Sequence, residues 1–127
     1  MNETIKCLVI RPGASKGEVV EIPCLGVKNR DAERFYLGMH PHDFAYSFCL
    51  SSEFTDATGI IIDQTQEGFN PSTHLLNDLA NHIVGNETPD VDAEFFPVCG
   101  NMIIVGMFGV DDDIDTDCPQ RLIEKYT

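Results

Sequence analysis

Basic residues are scarce in this chain of 127 residues, which holds 8 Lys and Arg against 21 Asp and Glu. The formal net charge is −13, and it is unevenly spread along the chain. Residues 1–66 carry nine acids and six bases, whereas residues 67–127 carry twelve acids and two bases. A field of this sign repels nucleic acid and anionic membranes and favours basic partners. Direct binding to nucleic acid is therefore not expected.

Several patterns that carry chemistry are also missing. The five cysteines form no C-x-x-C pair, and the chain has neither a G-x-S-x-G elbow nor a Walker pattern. The longest nearly apolar run, Met102–Val110, is too short to span a bilayer. The first residues, "MNETIKCLVI", lack the features of a signal peptide. We predict a cytoplasmic, non-enzymatic protein with reduced cysteines, no cofactor, no catalytic residue and no membrane association.

Five apolar segments have the pattern of strands. "TIKCLVIRPG" and "EVVEIP" predict a hairpin over residues 4–23, and "DFAYSFCLS" (43–51) with "GIIIDQ" (59–64) predicts a second hairpin. "NMIIVGMFG" (101–109) is the most apolar segment, which favours a central strand. The loop "RPGASKG" carries Arg11 and Lys16 near backbone amides that could hold a phosphate, but an ordinary hairpin turn is the preferred interpretation.

Two segments have the pattern of helices, and a third is weaker. "NPSTHLLNDLANHIVGN" predicts a long helix with Asn70 as cap, Pro71 in the first turn and Gly85 at the end. Its predicted buried stripe is Leu75, Leu76, Leu79, Ala80 and Ile83, and its predicted water-facing residues are His74, Asn77, Asp78 and Asn81. "CPQRLIEKY" predicts a short closing helix capped by Asp117, with Leu122, Ile123 and Tyr126 directed inward. A further short helix is predicted to begin at Asn29 and to end by Gly38.

These elements predict one α+β domain over residues 1–127. Its core would be a mainly antiparallel sheet of about five strands, with one long amphipathic helix and a short C-terminal helix.

The segment "DDDIDTDCPQ" (111–120) contains five aspartates in seven positions, namely Asp111, Asp112, Asp113, Asp115 and Asp117. Like charges at this density repel one another, so we predict first a solvated loop that leads into the capped helix. The second interpretation is an acidic surface for a basic partner. A calcium loop would use Asp113, Asp115, Asp117 and Glu124, but Cys118 occupies the position that needs glycine.

A cluster of cationic and aromatic residues is the candidate site for a small anion. It comprises Lys28, Arg30, Arg34, Tyr36, His40 and His42. Arginine binds phosphate in a bidentate manner, and aromatic rings stack on bases. The competing interpretation is an exposed helix on which Asp31 and Glu33 neutralise these charges. No metal site is predicted, because the pair His40 and His42 has no second pair of ligands in the sequence.

Short motifs in order along the chain resemble a family of small domains of unknown function that is common in phages, plasmids and other mobile elements. They are "KCLVIRPG…EVVEI", "GFNPSTHL" (68–75), "CGNMIIVGM" (99–107) and "DCPQRLIEKY". Ser72 and Thr73 stand where that family tends to carry an asparagine–arginine pair. The resemblance implies a phage or mobile-element setting and no particular chemistry.

Charge and resemblance together predict a non-enzymatic accessory or counter-defence protein. It would bind a host protein that has a basic, nucleic-acid-binding surface, and the acids would mimic phosphate charge. The alternative is an oligomeric protein that binds a small nucleotide or another anionic ligand through Arg30, Arg34 and a neighbouring aromatic residue.

Overall fold

The residues that the structure describes form six strands and two longer helices. The structure, a computed structural model, describes residues 3–24, 35–38, 45–50, 57–62, 75–87, 97–108 and 111–127. The strands are β1 (Glu3–Ile10), β2 (Glu18–Cys24), β3 (Ala45–Cys49), β4 (Ala57–Ile62), β5 (Met102–Phe108) and β6 (Asp111–Thr116). The helices are α1 (Asp78–Glu87) and α2 (Gln120–Tyr126).

The strands form one sheet in the order β2-β1-β5-β4-β3, and β6 pairs with β5 outside this path. All five strand pairings are antiparallel. Both predicted hairpins are confirmed, with registers from Glu3↔Cys24 to Val9↔Glu18 and from Ala45↔Ile62 to Cys49↔Thr58. The central position of β5 is also confirmed, because it pairs with β1 and with β4. The α+β class is therefore as predicted, with six strands in place of about five.

Both faces of the sheet are buried, and the alternation of side chains along β5 separates two cores. Met102 and Ile104 belong to the first core, whereas Ile103 and Val105 belong to the second. All four side chains are 0–1% exposed. A strand that buries both faces reads as a continuous apolar run, and this is the pattern that marked the segment as central.

The two helices cover the first face of the sheet. Ala80 and Ile83 of α1 pack into the first core together with Leu122 and Tyr126 of α2. Leu37 is buried in the second core, against which Tyr36 packs. The inward positions predicted for Leu122 and Tyr126 are confirmed, and Ile123 is half-buried against the first core. No helix among the described residues is long and apolar enough to cross a membrane.

Helix α1 is shorter at its beginning than predicted. It begins at Asp78, and Leu75 and Leu76 before it are not helical. The Leu75 carbonyl accepts a hydrogen bond from Gly100 N at 2.7 Å, and Leu76 forms a β-bridge with Cys99. Leu75 and Leu76 are 73% and 51% exposed, so they do not belong to the buried stripe. Gly85 lies within the helix and does not end it. The predicted cap Asn70 and the residues Pro71 and His74 lie outside the described residues.

Asn77 is the residue that caps α1. Its Oδ1 accepts from Ala80 N at 3.0 Å, which satisfies one of the amides that a helix leaves open at its first turn. Its Nδ2 donates to Ile10 O at 3.0 Å and to Gly100 O at 2.8 Å. The prediction that Asn77 faces water is wrong, because the residue is 0% exposed. Its amide thus joins the helix to the end of β1 and to the segment just before β5.

Asn81 also makes contacts that the prediction of a water-facing residue did not include. It is half-buried, and its Oδ1 accepts from Val98 N at 2.8 Å. Asp78 is exposed, as predicted. The third predicted helix is seen at its end, where residues 35–37 are helical and Gly38 follows with φ 70°. Its predicted start at Asn29 lies outside the described residues.

Candidate functional site

The aspartate run is a strand, and the prediction of a solvated loop is wrong. On one side β5 pairs with β4, whereas on the other side β1 reaches only as far as Ile104. Beyond Ile104, β5 pairs with β6 instead of β1. The paired residues are Gly106↔Thr116, Met107↔Asp115 and, after a register shift, Phe108↔Asp111. Leaving buried backbone groups of β5 unpaired would cost more free energy than the low strand propensity of aspartate. The side chains of Asp111, Asp112, Asp113 and Asp115 lie outside what the structure describes.

Asp117 has a structural contact and does not cap the closing helix. Its Oδ1 accepts from Lys6 N at 2.8 Å, and Cys118 N donates to Lys6 O at 2.8 Å. Because the backbone continues beside β1 at this point, the carboxylate meets a strand amide. The N-cap position of α2 is Pro119, which makes no side-chain cap bond. The prediction of Asp117 as a cap is therefore wrong.

Lys28, Arg30, Arg34, His40 and His42 lie outside the described residues.

Tyr36 is the one predicted anion-site residue that the structure describes. It is half-buried against the second core, and its carbonyl accepts from Asn101 Nδ2 at 2.7 Å. Phe35, which the sequence analysis did not select, is 78% exposed and contacts the Tyr36 ring edge-on with centroids 5.3 Å apart. Phe35 is thus the more accessible aromatic ring of this pair.

A cluster of charged residues that sequence reasoning did not select joins the ends of the two helices. The Glu87 side chain, at the end of α1, is 8% exposed and accepts three hydrogen bonds from α2. The donors are Arg121 Nη1 at 3.0 Å, Lys125 Nζ at 2.9 Å and Tyr126 OH at 2.6 Å. A carboxylate this poorly exposed needs such partners, because burial of an unpaired charge is costly. Glu87 therefore fixes the position of α2 against α1.

The same contacts shift the ionisation of the cluster. Burial alone raises the pKa of Glu87, but the hydrogen bonds from its three partners outweigh burial and hold the pKa below its usual value. The hydrogen bond to Glu87 raises the pKa of Lys125. Burial, and then the hydrogen bond to Glu87, raise the pKa of Tyr126. Glu87 is thus held as a carboxylate and Lys125 as an ammonium at neutral pH.

An open cleft of about 370 Å³ lies beside this cluster. Three parts of the chain form its walls: the β1–β2 turn with Ser15 and Lys16, helix α1 with Leu79, His82 and Asn86, and the end of the chain with Lys125, Tyr126 and Thr127. The turn is held there because Gly17 N donates to Tyr126 O at 2.6 Å. A side chain at position 17 would force the buried Leu8 to shift, since a Cβ there would approach Leu8 Cδ1 to 2.7 Å.

The turn and the metal prediction can be compared with the described residues. The hairpin-turn interpretation of "RPGASKG" agrees with the structure, in which Ala14 N donates to Arg11 O at 3.2 Å and Arg11 Nε lies 3.4 Å from Glu18 Oε2. Within the part of the chain that the structure describes, no three His, Cys, Asp or Glu side chains group as metal ligands would. Of the proposed calcium ligands, Asp117 contacts Lys6 N, and Glu124 is an exposed residue of α2.

The chain matches no protein-family model, no curated protein and no solved structure. The resemblance to phage and mobile-element domains therefore stays a prediction.

Proposed function

We propose that this chain is a non-enzymatic binding protein that contacts a basic surface of another protein through its acidic strand β6. The observation that carries the proposal is that the aspartate run belongs to the sheet. Its backbone pairs with the central strand β5, so the acids are attached to the folded core and not to a separate loop. An acidic segment with a fixed backbone loses less conformational entropy on binding than a loop does.

The charge density of β6 narrows the kind of partner. Six residues of a strand extend over about 20 Å, and DNA carries about twelve phosphates over that length. Residues 111–116 supply four carboxylates, those of Asp111, Asp112, Asp113 and Asp115. The strand alone thus has about a third of the linear charge density of DNA. The charge density of β6 therefore suits a basic patch on a protein surface better than a protein groove that encloses a whole DNA duplex. Closer mimicry of DNA would need further acidic residues.

The proposal includes the setting predicted from the sequence. A phage or mobile-element origin, a role against host defence and a host-cell cytoplasmic location are supported by the sequence resemblance and composition alone. The alternative function, an oligomeric binder of a small nucleotide or other anion, depends mainly on residues 28–42. It stays a prediction, because Tyr36 is the one residue of this candidate site that the structure describes.

Neutralisation of the strand tests the proposal. In one variant, Asp111, Asp112, Asp113 and Asp115 are each changed to Asn. Asp117 is kept, because it has the contact with Lys6 N. The matched control removes the same charge from exposed acids elsewhere, by Glu18→Gln, Glu21→Gln, Asp78→Asn and Glu124→Gln. Binding of each protein to an oligolysine peptide is measured at low and at physiological salt, with the unfolding temperature as a check on folding.

We expect the strand variant to bind the peptide more weakly than the control variant at low salt. Exposed charge pairs contribute about 0.2 to 1 kcal/mol each, so the loss should be about 1 to 4 kcal/mol. Higher salt should reduce the difference. Equal binding by two folded variants would show that only net charge matters, and this result would overturn the assignment of β6 as the contact surface.

A further inference from the structure

We propose that the cleft formed by Lys16, His82 and Lys125 binds the phosphate group of a small phosphorylated metabolite. No residue of strand β6 and none of residues 28–42 is among those that line the cleft, so the inference does not depend on the proposed function. It begins from the distribution of positive charge. Three of the eight basic residues of the chain, Lys16, Arg121 and Lys125, lie in or beside this cleft.

The described side chains in and beside the cleft carry more positive than negative charge, although the whole chain is strongly negative. In the cluster beside the cleft, Glu87 offsets one of the two charges of Arg121 and Lys125. Lys16 of the β1–β2 turn adds a further positive charge. At physiological ionic strength, exposed charges are screened beyond about 8 Å. A phosphate in the cleft would therefore respond mainly to the charges adjacent to it, which include Lys16 and Lys125.

The donors of the cleft are held in place by the fold. Lys16 precedes Gly17, whose amide hydrogen bond to Tyr126 O fixes the turn against the end of α2. Lys125 is oriented by its 2.9 Å contact with Glu87, which uses one of the three N–H donors of an ammonium. Asn86 Nδ2 lies 3.1 Å from His82 Nε2. This contact orients the imidazole ring of His82 at the wall of the cleft.

The size and walls of the cleft indicate the class of ligand. A volume of about 370 Å³ falls at the lower end of the usual range for small-molecule sites, which begins at about 300 Å³. Leu79 and the aromatic ring of Tyr126 provide apolar surface beside the cationic groups. This combination suits a compact organic phosphate, whose phosphate would lie between the lysines and whose carbon skeleton would contact Leu79.

The experiment uses the full chain, labelled with ¹⁵N, and ribose 5-phosphate as the probe. Ribose and citrate are titrated in parallel. We expect saturable shifts of backbone amide signals in residues 15–17, 82–86 and 125–127 with ribose 5-phosphate, and much smaller ones with ribose. Shifts confined to other residues, or equal responses to ribose, would overturn the proposal. Binding of citrate at least as tight as that of the phosphate would overturn the phosphate assignment.

Lys16→Gln is the decisive variant, and Lys6→Gln is its matched control. Both lysines are exposed, both changes remove one positive charge, and Lys6 makes its structural contacts through the backbone. We expect Lys16→Gln to weaken ribose 5-phosphate binding about tenfold, which is the effect of losing one hydrogen bond to a charged group. Lys6→Gln should leave the affinity almost unchanged. Equal losses in the two variants would mean that the phosphate responds to net charge alone, and the site would be rejected.

Discussion

Replacement of Asn77 by alanine should destabilise the protein more than any exposed asparagine replacement on the same helix. The side chain makes three buried hydrogen bonds, to Ala80 N, Ile10 O and Gly100 O. Loss of a helix cap costs about 1 kcal/mol. Each buried carbonyl that loses its donor costs about 1 kcal/mol more. The sum is about 3 kcal/mol, a large part of the roughly 5 to 15 kcal/mol by which a domain is stable.

This loss converts into a measurable change of the unfolding temperature. For 127 residues, an unfolding entropy of about 2.1 cal/mol/K per residue makes each kcal/mol equal to about 4 °C. Asn77→Ala should therefore lower the midpoint of thermal unfolding by about 12 °C. The control is Asn86→Ala, an exposed position on the same helix, where the change should stay within about 0.5 kcal/mol. Similar midpoints for the two variants would refute the assigned role of Asn77.

The pH dependence of Asn77→Asp gives a second, independent readout. Aspartate keeps the acceptor for Ala80 N but places an oxygen against the carbonyls of Ile10 and Gly100. Burial and these carbonyls raise the pKa of the introduced acid in the folded state. The folded variant then binds its proton more tightly than the unfolded chain, so its stability falls as the pH rises above about 4. The geometry would be contradicted if the difference in unfolding free energy between Asn77→Asp and the wild type stayed constant from about pH 3 to about pH 7.

Three further variants test stability. Gly17→Ala should destabilise the fold by about 1 to 3 kcal/mol, because its Cβ would lie 2.7 Å from Leu8 Cδ1 and 2.8 Å from Ile10 Cδ1. Gly85→Ala should stabilise the fold by about 0.5 to 1 kcal/mol, because this helical position is open. Denaturant titration measures both effects, and the same sign for Gly17→Ala and Gly85→Ala would argue against this packing. Glu87 has a lowered pKa, so its contribution is present above the pKa of the unfolded chain and is lost as the pH falls through the folded value. Glu87→Gln should therefore be less stable than the wild type at pH 7 and should lose less stability on acidification. The measurement is the unfolding temperature of both proteins from neutral to acidic pH. Curves of unfolding temperature against pH that run parallel would show that the reasoning is wrong.

The sheet was predictable because its signals are local. The apolar segment predicted over residues 101–109 is observed as Met102–Phe108, and both hairpins were found from runs of alternating or continuous apolar residues. Such runs are long enough to exclude a solvent-exposed alternative. The class and the central strand follow from them.

The errors arose where distant parts of the chain decide the structure. Asn70 followed by Pro71 fits the local rule for a helix start, yet Asn77 is the cap, because it also reaches a carbonyl 67 residues away. Repulsion among aspartates favours a loop, but pairing with the backbone of β5 favours a strand. Lys16 and Lys125 meet in one cleft only because the fold joins the first turn to the last helix.

The contact between Lys6 and Asp117 has a consequence for synthesis of the protein. It joins residues 111 positions apart, and β1 also needs β5 from the last third of the chain. At about 5 to 20 residues per second, a ribosome takes roughly 6 to 20 s to translate that interval. Over this time the first hairpin is present with one edge of β1 unpaired and apolar, a condition that favours aggregation. Yield of folded protein should therefore depend on chaperone capacity and growth temperature during expression, even though the finished fold buries that edge.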